Sequence, residues 1–463
     1  MVIDTHDHGK ALGPNLVSGQ GFPGSLHICT YDLRGTMVRT GRPKRCRQTG
    51  LVTHTHHLLA GLARAHPDLR LAVTQTGASD VVRERVRTLE GQTVLWQGIR
   101  TGFPELLHED GSKHPDRVRR YYETLIDEPG NPLYRSLAAQ YAAAIRHAGT
   151  PDLLAQNTNP LVGILKAAEF DLLDDFGPVH VTGVVHDTTD MARRFTYVRR
   201  RLADPRRVTI TLIAVSDAVR RHLVQHAGMP PDRVRTVRNG IDDHTFDQRV
   251  DHAHRTGVFE RVRARNGLPT TGRMLLTSAR RVAWKGHLDV LHAVRLLISG
   301  GHTDFYLAMN GAGLVDSREP DYERHLAKTI TELGLAGTVF LLDELSDAGL
   351  AACYGHADMA VHPSRLPEPF GYANLEAMLA GAPVIATAHG GPLEYITPDE
   401  SGLLVPPSDP AALAEAIDRL LTDPTLHARL AAGGQASARR FGLDAMISGY
   451  EAAITAHRHG LRP

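Results

Sequence analysis

Glu368 and Glu376 are separated by seven residues in the run Pro367-Glu368-Pro369-Phe370-Gly371-Tyr372-Ala373-Asn374-Leu375-Glu376-Ala377-Met378. Pro369 and Gly371 forbid one continuous helix across that run, so the first carboxylate is expected on a loop and the second inside a helix. The mouth of that helix then opens beside Glu368, at Phe370 to Ala373. Free backbone N–H groups and the positive end of the helix dipole favour a phosphate there, while carboxylates on either side can accept hydrogen bonds from sugar hydroxyls. One anion hole flanked by two acceptors suits a phosphorylated sugar. The same spacing can arise wherever a helix follows a Pro/Gly turn, so the flanking elements must decide.

Those elements read as strands. Asp358-Met359-Ala360-Val361-His362-Pro363-Ser364 is a short apolar run ending at a turn, and Gly381-Ala382-Pro383-Val384-Ile385-Ala386-Thr387 is another, followed by Gly390-Gly391. A helix between two such runs is a βαβ unit, and ligands collect at the carboxyl ends of its strands, where Ser364 to Glu368 would lie. In the first half of the chain, His186-Asp187 follows the apolar run Val181 to Val185, which places the imidazole at a strand end. Asp187 could orient that ring or cap the next helix.

Glu368 to Glu376, together with Gly381-Ala382-Pro383-Val384, Gly390-Gly391 and Gly402-Leu403-Leu404-Val405-Pro406, resembles the signature of glycosyltransferase family 4, retaining nucleotide-sugar enzymes of the GT-B fold. The resemblance implies an α/β architecture: two Rossmann-like doubly wound domains facing each other across a cleft, with a C-terminal helix crossing back to the N-terminal domain. It implies that an Arg and a Lys hold the donor diphosphate. Ser278-Ala279-Arg280-Arg281-Val282-Ala283-Trp284-Lys285-Gly286 resembles the junction that carries them, which assigns Arg280 and Lys285, with Arg281 as the neighbour most easily confused with Arg280. Their chemistry suits the task, since a guanidinium fork and an ammonium can neutralise a departing diphosphate. The alternative is a pair of solvated surface cations.

By the same resemblance, the donor is bound by Phe370, Gly371, Tyr372 and Ala373 at the helix mouth, by Glu376 at the ribose hydroxyls and by Glu368 at the hexose hydroxyls. His186 contacts the transferred sugar from the other domain. The paired glycines common in the family are replaced by Gly50 alone, in Gln48-Thr49-Gly50-Leu51-Val52. Gly311-Ala312-Gly313 resembles the family's glycine turn below the donor, and Asp343-Glu344-Leu345-Ser346 is expected to flank the base, without deciding between UDP and GDP.

The reaction implied is hexosyl transfer from a nucleotide-diphosphate sugar with retention, by a front-face route in which the leaving phosphate takes the acceptor proton. No carboxylate nucleophile stands out in the first half, unlike a retaining glycosidase with its facing acids. No metal and no further cofactor are expected, because His54, His56 and His57 have only helical-face spacing and no Cys or acid stands at ligand spacing. A nucleotide-sugar epimerase of the same fold, or a non-catalytic nucleotide-sugar-binding protein, would carry much of the same signature.

The rest of the chain supplies the frame. At 463 residues and 50.5 kDa it exceeds one core, and a net charge of +1 gives no global field for nucleic acid. Residues 1–250 are read as an acceptor-binding domain, 251–440 as a donor-binding domain and 441–463 as the returning helix. Short strands are expected at His27 to Tyr31, Leu71 to Thr74, Thr93 to Trp96, Val179 to Val185, Thr211 to Val215 and Val234 to Val237, then near Met274, Phe305, Val339, Met359 and Val384. A polar stretch at Phe246 to Gly257 is the expected seam.

Cys29, Cys46 and Cys353 are too scattered for a disulfide framework, which fits a reducing cytoplasm. The first residues lack a signal-peptide pattern, and no apolar run reaches the ~20 residues of a spanning helix. Residues 34–47 carry six cations and no acid, and 193–207 is again Arg-rich. These stretches suit an anionic small acceptor or contact with an acidic membrane surface, or they are solvated faces. Self-association is compatible with the sequence.

Overall fold

The computed structural model describes residues 21–30, 37–38, 50–78, 82–88, 93–100, 126, 131–187, 192–203, 208–311 and 321–458. Its strands, in chain order, are β1 (Ser25–Thr30), β2 (Met37–Val38), β3 (Arg70–Ala78), β4 (Val82–Thr88), β5 (Thr93–Arg100), β6 (Asp152–Gln156), β7 (Val179–Val185), β8 (Val208–Ala214) and β9 (Val234–Thr236), which form one sheet. A second sheet holds β10 (Arg273–Ser278), β11 (Phe305–Asn310), β12 (Val339–Leu341), β13 (Met359–His362), β14 (Val384–Thr387) and β15 (Leu403–Val405).

The second sheet runs β12-β11-β10-β13-β14-β15, all parallel. Strand order therefore reverses between β10 and β13, and a crevice opens at their carboxyl ends. Period-two alternation explains why both faces are apolar: Met274 and Leu276 enter one core cluster while Leu275 between them enters the other. The first sheet runs β2-β4-β5-β3-β1-β6-β7-β8-β9 and has its own reversal between β1 and β6.

Two expectations need correction. The first sheet is not wholly parallel, because β4 pairs antiparallel with both β5 and β2. In sequence Val82, Glu84 and Val86 alternate with Arg83, Arg85 and Arg87, unlike the near-continuous apolar runs of the parallel strands. The polar stretch 246–257 is not a linker either. Helix Asp243–Arg255 buries Phe246 and Ala253 in the second core. The chain instead crosses between cores near Asn239 to Asp242, where Ile241 N–H donates to Phe441 O (2.9 Å) and Ile241 bridges Gly442. The outgoing and returning crossovers thus lie side by side. Beyond the second one, helix Leu443–Arg458 buries Met446, Ile447, Tyr450 and Ile454 in the first core.

Candidate functional site

Both sides of the second sheet's reversal point carry the residues singled out by sequence. After β10, the backbone passes Arg280 and a 3-10 turn (Ala283–Lys285) to Gly286, which begins helix His287–Ser299 with φ +75°. A Cβ at Gly286 would stand 2.0 Å from Pro363 O, so only glycine lets the β10 and β13 loops meet this closely. Their meeting brings Lys285 Nζ into an ion pair with Glu368, whose carboxylate also accepts from Ser364 Oγ (3.1 Å). Burial pushes the Glu368 carboxyl up, but the Lys285 ammonium beside it and the Ser364 hydroxyl outweigh that and hold it below the ordinary carboxylate range. Lys285 Nζ also lies 4.1 Å from the centre of the Trp284 ring.

Arg280 and its neighbour are clearly distinguished. Arg281 is buried, donating to Met309 O (2.8 Å) and Leu342 O (2.7 Å) and pairing with Glu323 (3.1 Å). It ties three strand ends together. Arg280 is half-buried and has no side-chain partner among the described residues, which leaves its guanidinium for a ligand.

Helix Tyr372–Leu379 starts from Gly371 with no side-chain cap, and Asn374 N–H turns back to Gly371 O (3.1 Å). Its mouth is held by a buried relay that the sequence did not reveal. Ser278 N–H donates to His362 Nε2 (3.2 Å), and His362 Nδ1 meets Asn374 Oδ1 (2.7 Å). Asn374 Nδ2 donates to Tyr395 Oη (2.9 Å), whose hydroxyl donates to Phe370 O (2.8 Å). Burial lowers His362 to about 4, so the relay runs through a neutral imidazole. The donor loop is backed by Gly390 and Gly391: Gly391 N–H donates to Glu368 O (2.7 Å), and a Cβ at Gly390 would fall 2.3 Å from the same oxygen. Inside the helix, burial pushes the Glu376 carboxyl up to about 7 against the downward pull of the Tyr354 hydroxyl and the Arg249 guanidinium.

On the N-terminal side, His186 stands at the end of β7 and its Nε2 meets Gln156 Oε1 at 2.8 Å, from the end of β6. Gln156 therefore orients the ring. An amide oxygen accepts, so Nε2 carries the hydrogen and Nδ1 keeps its lone pair. Burial lowers His186 to about 3. The next residue after Gln156, Asn157, holds φ 92° and ψ 167°, a conformation that costs a non-glycine ~1–3 kcal/mol and concentrates at functional sites. Its side chain accepts from Thr158 N–H (2.7 Å), capping helix Thr158–Glu169.

His54 and His57, which in sequence show only helical-face spacing, join the two sides. The His54 ring lies 4.4 Å edge-on to His186 and its Nε2 meets Tyr450 Oη (3.0 Å). His57 is 5.8 Å edge-on to Tyr372, the first residue of the donor-side helix. Their i, i+3 spacing in helix Gly50–Ala65 is a visible signal, but the partners come from β7 and the final helix for His54 and from Tyr372 and Gly240 O for His57, and leave no mark nearby in the chain.

Gly50 begins that helix. Of the two basic stretches, 34–47 falls outside the described residues except for positions 37 and 38, whose side chains carry no description. In 193–207 the residues 204–207 are likewise outside, while Arg194 is buried against Asn159 Oδ1. Gly311 is described and its glycine partner Gly313 is not.

Two family models match this chain: Glycosyltransferase Family 4 over residues 48–245 and Glycosyl transferases group 1 over residues 258–437. A D-inositol 3-phosphate glycosyltransferase of Frankia alni is 35% identical over 259 residues, 54% of this chain and 59% of that protein. The protein of the same name from Acidothermus cellulolyticus is 36% identical over 232 residues, 50% of this chain and 49% of its own length. The matched segments thus span about half the length of these curated relatives. Among solved structures, Anabaena Alr3699/HepE in complex with UDP and glucose superposes with a TM-score of 0.65 at 18% identity, covering 93% of this chain and 99% of that one. Sucrose-phosphate synthase from Thermosynechococcus elongatus reaches 0.67 at 18% identity, covering 94% and 99%. At such identities these likenesses establish the fold, two Rossmann-like domains of the GT-B type. Among the described residues, no helix is long and apolar enough to cross a membrane.

Proposed function

We propose, for a chain that belongs to the glycosyltransferases of family 4 and group 1, that it transfers a hexosyl unit from a UDP- or GDP-sugar to a small anionic acceptor with retention of configuration and without a metal. The observation that carries this reading is the Lys285–Glu368 ion pair beside an uncapped helix mouth at the sheet's reversal point, with Arg280 on the same loop as Lys285 and without a side-chain partner among the described residues.

Entry of a diphosphate gives the Lys285 ammonium a stronger partner than Glu368. The carboxylate is then released to accept hydrogen bonds from hexose hydroxyls, while Arg280 and the N–H groups of Tyr372 and Ala373 meet the phosphate oxygens. Because negative charge grows on the diphosphate as the glycosidic bond breaks, these groups act on the transition state more than on the ground state. Glu376 accepts from the ribose. His186, neutral and with its Nδ1 lone pair free, accepts from a hydroxyl of the same hexose. The acceptor proton passes to the leaving phosphate on the same face. The names of the relatives favour a phosphorylated cyclitol as acceptor, and the cations of residues 34–47 suit its charge. Three scattered cysteines fit a reducing compartment such as the cytoplasm.

Thermal-shift titration of UDP, GDP and their hexoses tests donor binding. A ligand at a hundredfold its Kd stabilises the fold by about 2.7 kcal/mol. Transfer to inositol 3-phosphate, followed by NMR of the new anomeric proton, then reads acceptor and stereochemistry. Absence of a shift with all UDP and GDP ligands would sink the reading, and interconversion of the donor without an acceptor would replace it with epimerase chemistry.

A further inference from the structure

Outside the residues already assigned, a buried carboxylate on the C-terminal side reaches across to the N-terminal half of the molecule. Glu394 closes the short 3-10 turn Gly391–Glu394 on the C-terminal side. Its Oε1 accepts from Ala218 N–H (3.0 Å) and its Oε2 from Arg238 Nε (2.9 Å), both on the N-terminal side. Although Arg238 is half-exposed, the Glu394 side chain is only 7% exposed, so the carboxylate is enclosed by its partners rather than by water. Arg238 also pairs with Asp217 and stands just before the crossover at Asn239 to Asp242.

The geometry at Ala218 is unusual in its division of labour. Helix Asp217–Gln225 is capped by its own Ser216, whose Oγ accepts from Val219 N–H (3.1 Å). The neighbouring open N–H of the first turn, that of Ala218, is satisfied by a side chain from the other half. A carboxylate at a helix amino end is favoured by both the open donor and the dipole. The contact is therefore a built one, with two donors converging on a nearly buried acceptor.

Its position links it to both sides of the cleft. In one direction the Gly391–Glu394 turn is rigidly tied to the donor loop through Gly391 N–H to Glu368 O (2.7 Å) and through Tyr395 Oη to Phe370 O (2.8 Å). In the other, Asp217 and Ala218 follow the end of β8, which pairs in register with β7, so this helix start lies one strand over from His186. Neighbouring strands are ~4.8 Å apart.

We propose that Glu394 is a positioning residue: by clasping Ala218 N–H and Arg238 it registers the loop carrying Glu368 against the strand end carrying His186, so that donor and acceptor meet at a fixed spacing. The inference rests on the transferase reading for its kinetic consequence, but its geometric part stands without it. Losing the clasp should leave the donor pocket intact and let the two halves drift. Transfer to the acceptor suffers, since a misplacement of ~1 Å can cost about a hundredfold in rate, while the less demanding transfer to water suffers less.

Spin labels at Asp68→Cys and Arg324→Cys, exposed positions on opposite halves, with Cys46→Ser, report the interdomain distance distribution. Glu394→Ala and Arg238→Ala should both broaden it. Glu394→Gln, which can still accept from Ala218 N–H, should fall between them and the parent. In steady state, Glu394→Ala should lower acceptor transfer by about tenfold or more and raise the ratio of donor hydrolysis to transfer, with UDP affinity unchanged. If the Glu394→Ala chain does not fold, Arg238→Ala carries the same test without touching the helix cap. Parent-like distances in both alanine variants overturn the clasp. Broadened distances with an unchanged hydrolysis-to-transfer ratio overturn the positioning role. A parent chain that moves hexose from no UDP- or GDP-sugar, while the alanine variants still broaden the distances, defeats the transferase reading and leaves the clasp standing.

Discussion

The two walls of the cleft are built by different means. On the C-terminal wall a neutral relay supports the helix mouth, but the charged side chains are held by ion pairs: Lys285 on Glu368, and Arg365 bidentate on Asp289 at 2.7 and 2.8 Å. On the N-terminal wall the site residues are held by neutral hydrogen bonds between His186 and Gln156 and between His54 and Tyr450, with burial driving His186 to about 3 and His54 well below its ordinary value. A wall of paired charges suits a ligand whose charge changes during reaction. A wall of neutral imidazoles suits hydroxyls that must be aligned without adding a cation opposite the leaving group.

By that contrast, the charged wall should be the more costly to damage. Lys285→Ala removes a cation from the developing diphosphate and leaves Glu368 without its partner. We expect kcat/KM to fall about a thousandfold, close to 4 kcal/mol of transition-state stabilisation, in a steady-state transfer assay. A loss no larger than that of His186→Ala would erase the distinction. Next in size is Gly286→Ala. The added methyl would sit 2.0 Å from Pro363 O at a φ of +75°, so the β10 and β13 loops must separate. A destabilisation of ~2 kcal/mol or more is expected in urea unfolding, together with loss of UDP-induced stabilisation.

The N-terminal wall should show smaller and pH-shaped effects. Gln156→Leu deprives His186 Nε2 of its acceptor, which frees the ring to rotate and should lower kcat about 10- to 100-fold. Gln156→Glu tests the neutrality itself. A carboxylate at that distance favours the imidazolium and raises the His186 pKa from about 3. Below the raised value Nδ1 becomes a donor, so transfer should fall at low pH and recover as pH rises through it. The parent should be flat in the same range as far as this group is concerned. A Gln156→Glu profile identical to the parent's would show that Gln156 does not govern the ring.

The same contrast explains what could be read from the chain. The donor wall is compressed into local runs: Arg280 and Lys285 are five residues apart, Glu368 and Glu376 eight, so their types and spacing survive in one dimension. Five of the six strands of the second sheet are legible for the same reason, as apolar runs near a Gly or Pro, while the three-residue β15 does not read as a strand. What supports that wall is long-range. His362 reaches Asn374 within twelve residues, but Ser278 and Tyr395, which complete the relay, lie far off in the chain. The acceptor wall is assembled from the ends of β6 and β7, one helix near the start and another near the end, so His54, Gln156 and Tyr450 share no local pattern. Strand β6 left no signal because Asp152-Leu153-Leu154-Ala155-Gln156 begins and ends on polar side chains and holds no β-branched or aromatic residue. Helix Asp243–Arg255 reads as a linker because Phe246, Val250 and Ala253 are its few apolar contacts with the core in an otherwise polar sequence.

The smallest expected effect crosses the contrast, because it concerns a carboxylate on the charged wall that lacks a close cation. Burial holds Glu376 up at about 7. Its ordinary value is 4.5, so between about 4.5 and 7 the unfolded chain has released this proton while the folded one keeps it. Folding stability attributable to this group must then fall as pH rises through that window, with no further change above it. Donor binding runs the opposite way, since ribose hydroxyls need an ionised acceptor. UDP affinity should climb as pH approaches 7 and level off above it, dropping about tenfold for each unit below. Glu376→Gln should abolish both trends while costing only a few-fold in affinity at neutral pH. Calorimetric titration of UDP from pH 5.5 to 8.5 on the two proteins separates these outcomes. A parent affinity that stays level down to pH 5.5 would mean that Glu376 is already ionised, and that an Arg on this wall, with Arg249 the nearest named, compensates it as fully as Lys285 does Glu368.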